Sequence, residues 1–270
     1  MDITLAFVTY NRLHYTRMAI ESVLADKTEN FSLYIWDNSS SDDTPKYLKT
    51  LSDSRIKNVI LSKRNVGQIE AVNAIWSHSK DQLLGKLDND CIVTPGWTKM
   101  LAQAHSDIEN LGVVACWHYF SDDFDQTRAA HKLQQFGNHT IFRHPWTCGT
   151  GFLIKRSAYE RFGPMVGPGT TKYWLNMASA GLINGFYYPL VLQEHMDDPK
   201  SRHSSLKDEE SYQAAKAVTV NINRHGQHTL ADRWQWRQRV LDELLDGPYE
   251  AKYYAGWRKK IKSACAMVGL

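Results

Sequence analysis

The chain has few cysteines, and none of them pair in sequence. Cys91, Cys116, Cys148 and Cys265 are scattered without a Cys-x-x-Cys spacing, so neither a zinc knuckle nor a disulfide framework is expected, and the thiols read as reduced. No apolar run approaches the roughly 20 residues that a membrane-spanning helix needs, and the first residues lack the basic-then-apolar layout of a signal peptide. A cytoplasmic location is expected on that reading. No Gly-x-Gly-x-x-Gly follows the first apolar run, which disfavours a dinucleotide dehydrogenase. Thr9-Tyr-Asn-Arg12 holds no glycine, which argues against the glycine-rich basic loop of a nucleotidyltransferase. A net charge of +3 over 270 residues is too small an excess of one sign to imply nucleic acid as a partner. There is no internal repeat or low-complexity tract.

What remains is 43% hydrophobic sequence, enough to bury a substantial core in one large domain or one domain with an appendage. Residues 3–8 form an apolar run rich in β-branched side chains and stop at Thr9-Tyr-Asn-Arg12. Residues 15–24 then carry apolar side chains at helical spacing. The strand signal returns at 31–36 and ends at Asp37-Asn-Ser-Ser-Ser-Asp-Asp-Thr-Pro45, ahead of a helix expected over 46–51. A third strand is expected at 59–61, then Asn65-Val66-Gly67 and another helix, and a fourth strand reaches Asp88. Strands alternating with helices predict an α/β fold, a mostly parallel sheet with helices on both faces that binds ligands at the carboxyl ends of its strands. Thr9, Asp37, Asn65 and Asp88 all fall at those ends.

Asp88-Asn89-Asp90 is the chemical centre of this pattern. Two carboxylates one residue apart at a strand end offer oxygen ligands to a divalent cation, although Asn and Asp are also common wherever a strand simply turns. Beyond it, helices are expected from Thr94-Pro-Gly-Trp97 and over 156–162, a strand over 113–117 and an antiparallel pairing over 136–142. Mobile loops are expected at 163–171 and at 196–210, the second able to close over a ligand. Aromatic and basic residues interleave at the end of the chain. Arg233, Trp234, Trp236, Arg237 and Arg239 form one cluster, and Lys252, Tyr253, Tyr254, Trp257, Arg258, Lys259, Lys260 and Lys262 another. They read either as a solvated helix face packed by its aromatics or as a surface for anionic membrane.

The chain resembles the inverting family-two glycosyltransferases of the GT-A fold. The resemblance rests on Val8-Thr-Tyr-Asn-Arg12, Trp36-Asp-Asn-Ser-Ser-Ser-Asp-Asp-Thr44, Arg64-Asn-Val-Gly67 with Ala71 and Asn73, and Leu87-Asp-Asn-Asp90. It runs on more weakly through Gly149-Thr-Gly-Phe-Leu-Ile-Lys-Arg156 to Gly181 and His195. It implies a Rossmann-like GT-A domain over 1–225, divided into a nucleotide-binding half (1–95) and an acceptor-binding half (96–225), with a helical extension over 226–270. Thr9, Tyr10, Asn11 and Arg12 would meet the nucleotide, and Asp37 would accept a hydrogen bond from the base N–H or the ribose. Arg64 and Asn65 would lie beside base and diphosphate, with Gly67 letting the backbone approach. Asp88 and Asn89 would sit at the ribose, Asp88 and Asp90 would hold Mn²⁺ or Mg²⁺, and His195 would be a further metal ligand suited to manganese. The implied reaction moves a sugar from a nucleoside-diphosphate donor, a UDP-sugar by preference, to a hydroxyl of a glycan or lipid-linked saccharide, as in polysaccharide biosynthesis. Peripheral contact with the inner face of a membrane and assembly as a homo-oligomer are left open.

One departure stands out. The family places its catalytic base in a Glu-Asp pair about a dozen residues before the glycine matching Gly181, where this chain reads Gly169-Thr-Thr-Lys-Tyr-Trp-Leu-Asn176. Asp122, Asp123, Asp125, Asp197 and Asp198 are the candidate replacements. Without one of them the transfer would retain configuration by a same-face route, or the protein would bind nucleotide sugars without turning them over. Trp146, Tyr173 and Trp174 are expected on the acceptor side, either as sugar platforms or as core.

Overall fold

Every residue of the first strand, β1 (Ile3–Thr9), is buried. Side-chain alternation sends Ile3, Leu5 and Phe7 into one apolar cluster and Ala6 and Val8 into another. A strand apolar on both faces must lie inside a sheet covered by helices on both sides. The computed structural model, which describes residues 1–27, 31–216 and 227–256, has that arrangement. After β1 come α1 (Leu13–Ala25), β2 (Phe31–Asp37), α2 (Thr44–Leu48), β3 (Ile56–Leu61), α3 (Gln68–His78) and β4 (Leu83–Asp88). Then follow β5 (Cys91–Val93), α4 (Trp97–Asp107), β6 (Leu111–Ala115), α5 (Gln126–Ala129), β7 (Leu133–Phe136), β8 (His139–Arg143) and β9 (Phe152–Lys155). The remaining elements are α6 (Arg156–Phe162), α7 (Thr171–Ser179), β10 (Ile183–Tyr188), β11 (Gln193–His195), α8 (Glu209–Lys216) and α9 (Leu230–Asp246).

The main sheet has nine strands in the order β3-β2-β1-β4-β9-β6-β10-β8-β7. Strands β1 to β4, each separated from the next by a helix, pair parallel. The sheet becomes mixed where β9 runs antiparallel between β4 and β6 and where β8 runs antiparallel to β10. Strands β7 and β8 form a hairpin around Gly137-Asn138, with Gly137 at φ 57°. Helices α1, α2 and α4 cover one face, while α3, α6, α7 and α9 contribute to the cluster on the other.

Several elements begin earlier than the sequence pattern suggests. Helix α2 starts at Thr44 because Asp42 takes the Thr44 N–H (3.0 Å) and Pro45 occupies the first turn, where a missing N–H is harmless. Strand β6 starts at Leu111, two residues before the most apolar stretch. Tyr173 and Trp174 on α7 are buried in the core, so neither is an acceptor platform. The basic residues from Trp257 onward lie outside the described residues.

Helix α9 is no loose extension. Thr229 caps it by accepting from Asp232 N–H (3.1 Å), Asp232 returns the bond to the Thr229 N–H (2.9 Å), and Leu241, Leu244 and Leu245 are buried in the core. Among the described residues, no helix is long and apolar enough to cross a membrane.

Candidate active site

The register of the sheet brings three strand ends together. Thr9 lies opposite Asp37 on β2, and Val8 lies opposite Asp88 on β4, so Asp37, Thr9 and Asn89 follow one another at the usual strand separation of about 4.8 Å. Asp37 is 2% exposed; its Oδ2 accepts from Ser40 N–H (3.2 Å), and its buried Oδ1 has no partner among the described residues. Thr9 turns inward, its hydroxyl bonded to Thr16 (2.7 Å) and to the Asn89 amide (3.2 Å), so Thr9 and Asn89 brace the strand ends. Tyr10 is the exposed residue there.

Asn11 and Arg12 both adopt left-handed backbone, at φ 54° and 62°, which turns the chain sharply from β1 into α1. The Arg12 guanidinium reaches Asp90 (3.3 Å) and Asp197 (2.5 Å). Asn11 instead tethers the loop after β2, through its N–H to Ser40 and its Oδ1 from Ser41 N–H, both at 2.7 Å. Asn65 is likewise occupied locally, accepting from Asn38 and from Gly67 N–H, while Arg64 is exposed beside Glu70.

His195 is delivered by a second, two-stranded sheet. Strand β11 pairs antiparallel with β5 so that His195 faces Cys91, and Met196 N–H donates to the Asp90 carbonyl (2.8 Å). The His195 Nε2 then stands 3.6 Å from Asp90 Oδ1. Burial works against the Asp90 charge, but His195 and Arg12 outweigh it and hold the carboxyl at about 2. Asp90, Cys91 and His195 offer donor atoms all within 4.8 Å of one another. Burial pushes the Cys91 thiol well above its ordinary value, so it stays protonated and is a poor ligand.

Asp88 stands apart from that group. Its Oδ1 accepts from Lys86 (2.7 Å) and from Gln68, and burial pushes its carboxyl up in spite of Lys86. Its backbone N–H donates to the Thr150 hydroxyl (2.9 Å). The fully buried Lys86 is also bonded to the Gly149 carbonyl, which ties the Gly149-Thr-Gly segment to the strand end. Gly151 is needed there for shape, since it sits at φ 61° and a Cβ would overlap Gln193.

These groups open onto a cavity of about 580 Å³ lined by Asp88, Asp90, His118, His195 and Asp197 and also by Trp146, Phe186 and α9 side chains. A second hollow of about 480 Å³ lies beyond the Arg12–Asp197 pair, against Tyr15 and His203. Of the candidate bases, only Asp197 lines the larger cavity. Asp198 and Asp123 are both committed to the buried Arg237 at distances of 2.5–2.6 Å, and Arg237 and Lys200 hold the Asp123 carboxyl below its ordinary value against burial. Asp122 is exposed and pairs with Lys200 (2.7 Å), and Asp125 caps α5. The segment after His195 is polar in sequence yet packed, with Asp197, Asp198, Ser201 and Ser204 all buried. Gly169, Thr170 and Thr171 line the cavity and supply no acid.

His118 and Gln68 were not visible as site residues in the sequence. His118 lies three residues beyond the end of β6, near a strand end as Asp37 is at the end of β2, so the strand-end rule applied to the second half of the chain points to it. Its ring lies 4.8 Å from that of His195, and burial, with His195 adding, pushes its pKa well below the ordinary value.

Residues 4–163, more than half of the chain, match the family model described as glycosyl transferase family 2. The chain belongs to that family. The matched span reaches from β1 to α6 and includes Asp88 to Asp90; His195, Asp197 and α9 of this family-two chain lie beyond it. A curated relative, the succinoglycan biosynthesis protein ExoO of Rhizobium meliloti (strain 1021), is 29% identical over 120 residues, which make up 42% of this chain and only 34% of that protein. Two solved structures resemble the whole fold. One is the mannosyltransferase PcManGT from Pyrobaculum calidifontis in complex with GDP-Man and Mn²⁺, at TM-score 0.62, 16% identity and coverage of 99% of this chain and 74% of that one. The other is S. aureus TarS 1-349 in complex with UDP-GlcNAc, at TM-score 0.56, 12% identity and coverage of 94% and 73%. With these neighbours the α/β architecture of the family-two chain is the GT-A fold.

Proposed function

We propose that the protein transfers a sugar from a nucleoside-diphosphate donor to a hydroxyl of a saccharide or lipid-linked saccharide acceptor, assisted by Mn²⁺ or Mg²⁺. The observation that carries this reading is the convergence of Asp90, His195 and Asp197 on one cavity, with Arg12 bonded to Asp90 and Asp197, beside strand ends in which Asp37 presents a buried oxygen without a partner among the described residues. An ionised carboxylate next to an imidazole suits a divalent ion of the manganese type, so Asp90 and His195 would hold it, with Asp88 behind them bound to Lys86. When bound, such an ion offsets the charge that develops on the departing diphosphate. Arg12 adds a fixed positive charge on the same side. Asp37 Oδ1 is placed to accept an N–H of the donor base. Uracil and guanine both supply one, and uridine is preferred because a single acceptor matches its single N3–H.

In this reading Asp197 removes the proton from the acceptor hydroxyl, since it alone of the candidate acids lines the cavity. Inversion at the anomeric carbon follows, because base and leaving group act from opposite sides. A same-face, retaining transfer is favoured by a different observation: the cavity wall at Gly169, Thr170 and Thr171 has no acid, and Asp197 is already bound to Arg12. The test is incubation with UDP- and GDP-sugars, Mn²⁺ and a glycoside acceptor panel, reading nucleoside-diphosphate release and then the product anomer by proton NMR. Release with an inverted anomer supports Asp197 as base. An unchanged anomeric configuration removes that role, and tight nucleotide-sugar binding with no release sinks the transferase reading in favour of a binding protein.

A further inference from the structure

Helix α9 supplies part of the lining of the larger cavity. Arg233, Trp236, Val240 and Leu244 recur at helical spacing and all four line the cavity. Along this stripe a cation is followed by an indole and then by two aliphatic side chains. Such a gradient fits a ligand that is polar and charged at one end and less polar at the other.

The cation is the unusual member. Arg12 faces Asp90 and Asp197, Lys86 faces Asp88, and Arg237 faces Asp123 and Asp198. Arg233 has no carboxylate partner among the described residues. Among the described residues its guanidinium donates to the neutral Gln227 Oε1 (3.2 Å), and its buried Nε has no partner among them. The guanidinium lies 4.9 Å from the centre of the Trp236 ring and helps depress the pKa of His118. A half-buried guanidinium without a counter-charge has lost part of its hydration without a matching ion pair, so an anion that enters the cavity binds there favourably.

We propose that the α9 side of the cavity is the acceptor subsite and that it selects an acidic saccharide, with the carboxylate or phosphate of the acceptor on Arg233, its ring on Trp236 and its less polar end on Val240 and Leu244. This rests on the sugar-transfer reading above. The competing source of the anion is the donor diphosphate, which the experiment separates.

Calorimetric titration with p-nitrophenyl β-glucuronide and p-nitrophenyl β-glucoside compares two probes that differ by one carboxylate. With Mn²⁺ and UDP or GDP present, the wild type is expected to bind the glucuronide at least tenfold more tightly. Arg233→Gln removes the preference, Arg233→Lys keeps it, and Trp236→Ala weakens both probes alike. UDP and GDP affinities stay within twofold of wild type in Arg233→Gln. Equal binding of the two glycosides, binding of neither, or a preference that survives in Arg233→Gln overturns the proposal. So does a tenfold loss of nucleotide affinity in that variant, which assigns Arg233 to the donor. If the wild type binds neither nucleotide, the transferase reading fails on its own, and the same glycoside comparison on nucleotide-free protein still decides whether the subsite prefers an anion.

Discussion

At the residue scale, the site separates groups that meet from groups that only stand near one another in sequence. Asp88 and Asp90 are a pair on paper, yet Lys86 and Gln68 occupy Asp88 while Asp90 turns to Arg12 and His195. The two carboxylates should therefore respond differently. Asp90→Ala is expected to abolish Mn²⁺-dependent release of nucleoside diphosphate and the thermal stabilisation by Mn²⁺ with nucleotide, while the ligand-free protein still folds at a lowered melting temperature because Arg12 and His195 lose a partner; preserved Mn²⁺ dependence removes Asp90 from the metal. Asp197→Asn should lower kcat by about 10²- to 10⁴-fold if Asp197 is the base. Asp122→Asn, which alters an exposed ion pair, should leave kcat within twofold. Equal effects of these two variants would deny Asp197 its role.

At the scale of elements, Arg237 on α9 clasps two other segments. It holds Asp123 of the loop after β6 and Asp198 of the segment after β11, and side-chain exposure is 10% or less for all three. Replacing Arg237 by Leu leaves the buried Asp198 carboxylate without its cation and Asp123 with Lys200 alone, a loss of about 3–5 kcal/mol in urea unfolding; a change below about 1 kcal/mol would show that the clasp does not matter for stability. This clasp also marks how far the sequence could be read. Strands β1, β2 and β4 were legible because apolar runs, rich in β-branched residues in β1, end in abrupt polar stops, and those stops pointed to Thr9, Asp37 and Asp88. Nothing local announces that β11 pairs with β5, or that a polar segment such as 197–204 is buried, because both follow from partners far along the chain. Thr9 was legible as a strand end but not as a bracing residue, since its hydroxyl is consumed by Thr16 and Asn89. Helix α9 showed its basic and aromatic residues, whereas the face turned to the cavity depends on how the helix docks.

At the scale of the whole molecule, two cores share one sheet, and an imidazole lies fully buried against it. His105 on α4 donates its Nε2–H to the Leu153 carbonyl (2.9 Å) and has its pKa lowered by burial from 6.5 to about 3. A histidine kept neutral by the fold binds its proton more readily when unfolded, so its contribution is complete above pH 6.5 and is lost as pH falls toward 3. The expected loss from His105 approaches ~1.4 kcal/mol per pH unit within that window. Urea unfolding between pH 7 and 4 should show a shallower fall for His105→Gln; identical slopes would place the acid sensitivity elsewhere, with the depressed His118 the next group to examine. The small β5–β11 sheet also bears on how the molecule is made. Asp90 is synthesised with the first parallel strands, but its partner His195 comes more than a hundred residues later. At ribosomal rates of about 5–20 residues per second, roughly 5–20 s separate the two. During that interval the growing chain can build the parallel half of its sheet, yet Asp90 waits for its imidazole, so the appearance of the completed pair is a late event that reports on the folding of the entire chain.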